Sequence, residues 1–87
     1  MAVLNLADLL PGEAGIIQSI DSEGILLQRL LDLGLLPGTC IQARFRGRGG
    51  DPAAYLVRGT VLALRRSTAQ NVLIQPLGRS RPCHSRT

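Results

Sequence analysis

The segment QRLLDLGLLPG, from Gln28 to Gly38, permits a helix before it and little except a turn and a new strand after it. Gly34 admits the left-handed conformation that ends a helix, and Pro37, with fixed φ and no N–H, prevents a restart. Pro37-Gly38 then reads as a turn into an extended segment. Upstream, the pattern predicts a helix from about Glu23 to Leu33, capped by Ser22 or Asp21. At about 100° per residue, Leu33, Leu26, Leu30, Leu27 and Leu31 fill an arc of roughly 160°. Gln28, Arg29 and Asp32 take the opposite side, with Ile25 among them. A surface helix needs an apolar stripe of only ~100° to cover one core. The excess is left for a partner or for a covering loop.

The rest of the chain is cut into short strands. Residues 4 to 10, LNLADLL, form an apolar lead-in, and Pro11-Gly12 is a turn. Ile16 to Ile20 reads as the first strand. From Cys40 to Arg46 the residues alternate, placing Ile41, Ala43 and Phe45 on one face and Cys40, Gln42, Arg44 and Arg46 on the other. Gly47 to Pro52, GRGGDP, is a hairpin loop. Ala54 to Arg58 and Thr60 to Arg65 follow as strands around a tight turn at Gly59. Ser67 caps a single helical turn through Gln70, and Val72 to Gln75 is the last strand, closed by Pro76. About five short strands around one helix imply a mainly β fold, a small barrel. With 87 residues there is room for one domain, read as residues 1–77, followed by an aperiodic Arg-rich tail at 78–87.

Charge and composition narrow the function. The net charge is +4, and every basic residue is arginine. Before Arg44 the one basic residue is Arg29; from Arg44 onward there are nine arginines and a single acid, Asp51. Arg44, Arg46 and Arg48, with Arg65 and Arg66, are candidates for meeting an acidic surface; solvated strand edges protected by charge read equally well. No apolar run approaches the ~20 residues of a spanning helix, and the start carries no basic leader, so neither a membrane span nor a secretory signal is expected. Cys40 and Cys83 permit one disulfide but make no framework, and on compartment grounds the favoured reading is two reduced thiols of a cytoplasmic protein.

Catalytic chemistry is missing from the pattern. The one histidine, His84, is in the tail; no serine sits in a nucleophile elbow; and GRGGDP lacks the Lys-Ser/Thr of a phosphate loop. An enzyme is therefore not expected. Cys83, His84 and Cys40 are weak candidates for a transition metal such as zinc, nickel or iron, with no cofactor required. Nucleic acid is not expected, because Phe45 and Tyr55 are the only aromatics and stacking platforms need exposed rings. The same scarcity excludes the aromatic groove that binds Pro-rich peptides.

Four phrases, LLPGEAGII, QRLLDLGLLPGT, GDPAAYLVRG and VLALRRSTAQNVLI, occur in order across Leu4 to Leu77. Together they resemble the FeoA family. The resemblance implies an SH3-like β-barrel with one helix inserted after the first strand, and an accessory role in ferrous iron uptake through contact with the FeoB membrane GTPase transporter. The same module ends metal-dependent repressors of the DtxR type; no winged-helix region precedes it here, so a stand-alone protein is expected. The Arg-rich tail departs from the family pattern. The surplus leucines then nominate Leu27, Leu31, Leu35 and Leu36, with Arg29, as the surface for that partner, and make self-association conceivable.

Overall fold

Turn residues at short intervals divide residues 3–78, which the computed structural model describes, into six strands and two α-helices. In chain order these are β1 (Leu4–Asn5), a 3-10 turn (Leu6–Asp8), β2 (Ala14–Ile20), α1 (Gly24–Asp32), β3 (Cys40–Arg46) and a second 3-10 turn (Arg48–Gly50). Then come β4 (Ala53–Val57), β5 (Thr60–Leu64), α2 (Arg66–Ala69) and β6 (Val72–Gly78). All pairings are antiparallel, and the sheet order is β1-β6-β2-β3-β4-β5. The mainly β, SH3-like architecture with the helix after the first long strand is the expected one. The sixth strand is the two-residue β1, which the lead-in concealed. Among the described residues no pairing joins β1 to β5, so the barrel stays open.

The core is aliphatic. Leu6, Leu9, Ile17, Leu30, Leu35, Ile41, Val57, Val72 and Ile74 are fully or almost fully buried, and Tyr55 joins them. Each such aliphatic side chain stabilises by about 1.5–3 kcal/mol relative to exposure. Cross-strand pairs build this interior: Ile17 lies opposite Ile74, and Ile20 opposite Val72. At Gly15 the strands come too close for a side chain. A Cβ there would sit 2.8 Å from Ile74 Cδ1 and 2.9 Å from the Gln75 carbonyl oxygen, which accounts for the glycine in LLPGEAGII.

Three local expectations are corrected. β6 does not stop at Pro76 but continues to Gly78. β1 pairs only with Leu73 and Ile74, so one edge of β6 is already open at Pro76 and no N–H is needed on that side. Neither Ser22 nor Asp21 caps α1; its N-cap is Glu23, with no side-chain bond. Ser67 lies within α2, whose N-cap is Arg65. The backbone N–H of Arg66 instead donates to the Asp51 carboxylate at 2.9 Å, which explains the acid of the GDP loop.

The largest correction concerns β3. A bulge between Ala43 and Phe45 inserts Arg44, since Ala43 pairs with Tyr55 and Phe45 already with Ala54. The extra residue inverts the alternation beyond it. Phe45 is carried to the outer face and is exposed, while Arg46, itself exposed, is set opposite Ala53 on the face that carries Tyr55. Its guanidinium donates to the carbonyl oxygens of Leu9 at 3.0 Å and Ala7 at 3.4 Å, closing the first 3-10 turn. Arg46→Ala is expected to destabilise the domain by about 1–2 kcal/mol in a denaturant titration, against under ~0.5 kcal/mol for exposed Arg44→Ala.

Candidate partner-binding surface

α1 ends in a Schellman motif. Gly34, at φ +102°, donates its N–H to the Leu31 carbonyl, and Leu35 donates to that of Leu30. In this motif the residue after the glycine packs with the one that accepts its hydrogen bond, and Leu30 and Leu35 are both core residues. Leu35 therefore cannot meet a partner: it is 0% exposed. Placing Gly34 at the helix stop carried that information, because it fixes Leu35 as the residue that folds back. A Cβ on Gly34 would also approach the Arg58 side chain to 3.4 Å, so the helix end lies against the β4–β5 turn.

Leu30 sits near the middle of the apolar arc and is the helix residue that is buried. Leu27 and Leu31, on one flank, are half-buried. The surplus emerges on the other flank. Leu26 is 40% and Leu33 42% exposed; Ile25, beside them, is 81% exposed, and Leu36 beyond the turn 39%. Arg29 is exposed and, by helical geometry, lies between Ile25 and Leu33. Of the nominated residues, Leu36 and Arg29 are thus presented outward, and Leu27 and Leu31 partly so. Ile25, Leu26 and Leu33 were missed as surface residues. The arc's width was readable, but which edge meets the barrel depends on tertiary packing.

The arginines do not form one row. Arg44, Arg46, Arg48, Arg65 and Arg66 are all exposed, but the Arg46 guanidinium is also held by the carbonyls of the 3-10 turn. Arg46 and Arg66 line a small recess with Ala7, Gly50, Ala53 and Tyr55. Burial holds the Tyr55 phenol above its ordinary value; Arg46 and Arg66 oppose that shift, and Asp51 adds to it. The folded state keeps this proton more tightly than the unfolded chain. Its contribution to stability is fully present below pH about 10 and is lost as pH rises through the folded value. Tyr55 is the chain's single tyrosine and there is no tryptophan. An ultraviolet titration is expected to show phenolate forming at higher pH in the folded protein than in denaturant.

Among the described residues no group of three or more His, Cys, Asp or Glu side chains is placed to hold a metal. Cys83 and His84 lie outside the described residues, as does the tail from 79 onward. Cys40 is half-buried at the start of β3. No described helix is long and apolar enough to cross a membrane.

The sequence profile of the FeoA domain matches residues 4–76. No curated protein matches the chain. Among solved structures, the chain is similar to an iron uptake regulatory protein (FeoA) at 28% identity and a TM-score of 0.77, covering 88% of this chain and 100% of that one. It is similar to the zinc-complexed FeoA of Stenotrophomonas maltophilia, described as a procaryotic SH3 domain protein, at 26% identity and a TM-score of 0.75, covering 85% of this chain and 95% of the other. A manganese-dependent transcriptional repressor shares the fold at 15% identity and a TM-score of 0.80, covering 88% of this chain and 42% of the repressor.

Proposed function

The chain belongs to the FeoA domain family, and on that premise we propose that it is a non-enzymatic accessory of bacterial ferrous iron uptake that docks on the cytoplasmic side of a FeoB-type membrane GTPase transporter. The observation that carries this reading is the exposed apolar flank of α1 and its closing turn, formed by Ile25, Leu26, Leu33 and Leu36. A helix that leaves this many large apolar side chains in water presents anchors for a groove on a partner. Arg29, within the flank, and the exposed Arg44, Arg48, Arg65 and Arg66 favour approach to an acidic surface and make association faster at low salt. Co-purification of the chain with the transporter tests the reading. Retention that is lost with the apolar flank supports it, and absence of retention at any salt concentration contradicts it.

A second reading, a metal-responsive module, is favoured by the zinc complex of the relative and by the repressor that shares the fold. Titration with ferrous iron under anaerobic conditions, with and without residues 78–87, separates the two. Stoichiometric binding that alters the domain's stability belongs to the metal reading alone.

A further inference from the structure

β5 forms one edge of the sheet, and its free side is unusually bare. It pairs with β4 from Val57–Thr60 to Ala53–Leu64 without a bulge, through a two-residue turn in which Arg58 and Gly59 both have positive φ. In such a hairpin the residues flanking the turn form a hydrogen-bonded pair, and bonded and non-bonded pairs then alternate. Thr60, Leu62 and Leu64 consequently turn their backbone groups toward β4. The N–H and C=O of Val61 and Ala63 point away from the sheet, and among the described residues no hydrogen bond engages them. Edge strands are commonly protected by charges, prolines or bulges. The sequence of β5, TVLAL, has none of these.

Charge sits instead at the two ends of the strand, and it is predominantly positive: Arg58 precedes β5, Arg65 and Arg66 follow it, and the one acid nearby, Asp51, accepts from the Arg66 backbone N–H. We propose that the free edge of β5 accepts an added strand from a partner protein, an extended segment with a short apolar stretch flanked by acidic residues. Val61 and Ala63 supply the backbone ladder, and the flanking arginines select the acids. A second copy of this chain fits poorly. A two-fold axis at Leu62 sets Arg58 against Arg66 of the other copy, and like charges directly opposite are unfavourable. The chain's own residues 79–87 contain three arginines and no acid, so they lack the matching charge. The site adjoins the end of α1 only through Arg58, whose side chain lies beside Gly34, and its backbone edge does not depend on the role of the α1 flank.

The test uses the isotopically labelled full chain and two synthetic peptides. One has alternating valine and threonine flanked by glutamates; the other has the same centre flanked by lysines. The glutamate peptide is expected to slow amide exchange of Val61 and Ala63 by at least about tenfold, an effect weakened by added salt, and the lysine peptide to leave it unchanged. Ala63→Pro removes an outward N–H without breaking a β4–β5 bond and is expected to abolish the slowing in a folded protein. Arg65→Glu, which alters no backbone group, is expected to weaken the glutamate peptide relative to the lysine peptide. No slowing at millimolar glutamate peptide, equal slowing by both peptides, or slowing that follows protein concentration alone would overturn the proposal; the last would assign the edge to a second copy.

Discussion

Leu35→Asp is expected to leave the chain unfolded at 25 °C, while Leu36→Asp, one residue on, is expected to fold. Leu35 is fully buried and Leu36 is 39% exposed. Removing a buried leucine side chain costs about 2–5 kcal/mol through lost transfer energy and the residual cavity. An unpaired carboxylate in the same place adds several kcal/mol more or must be neutralised. A small domain is stable by about 5–15 kcal/mol, so the sum consumes most or all of it. The Schellman turn is lost as well, because the Leu35 N–H to Leu30 bond is made only when Leu35 packs inward. Far-UV circular dichroism and a thermal melt of the two variants check this directly. A cooperative melt for Leu35→Asp close to that of the wild type would contradict the placement of this residue.

Ile25→Glu with Leu26→Glu is expected to have the opposite profile, with stability kept and ferrous iron uptake lost. Both positions lie in the first turn of α1, where acidic side chains interact favourably with the helix dipole by about 0.3–1 kcal/mol each. Glutamate also has a higher helix propensity than β-branched isoleucine. Ile25 is 81% exposed and Leu26 40%, so little core packing is removed. If the flank is the contact, two charges now replace its apolar anchors, and hot-spot losses of ~2 kcal/mol or more weaken binding by at least about thirtyfold. Transporter-dependent uptake in cells whose own copy is replaced by the variant reads the functional effect, and a melt of the purified protein reads the stability. Normal uptake with a folded variant would remove the flank from the account.

The parts of the fold that local chemistry determines were legible. Gly34 and Pro37 stopped α1 where it stops, and the hairpin around Gly59 follows from its turn residues. What misled was alternation across Arg44. Period-two reasoning assumes a continuous ladder, and a bulge is visible only in the partner's register, which a single strand does not reveal. That one inserted residue explains why Phe45 is outside and Arg46 is engaged with the Leu9 carbonyl. At the candidate surface the helical wheel showed an excess of leucine but could not say which edge meets the barrel, and the nomination fell on Leu27 and Leu31. The barrel took the side of Leu27 and Leu31 and left Leu26 and Leu33 in water, and Ile25, assigned to the polar side, completes the exposed flank. Asp51 capping α2 from fifteen residues away is likewise a tertiary contact with no local signal.

The affinity of the purified full chain for the FeoB-type transporter in lipid nanodiscs, compared between wild type and the Ile25→Glu/Leu26→Glu variant, tests the central claim most directly. The account predicts saturable binding by the wild type and a loss of at least about thirtyfold, ~2 kcal/mol or more, in a variant that melts like the wild type. Equal affinity of the two proteins, or no binding by the wild type, would contradict it.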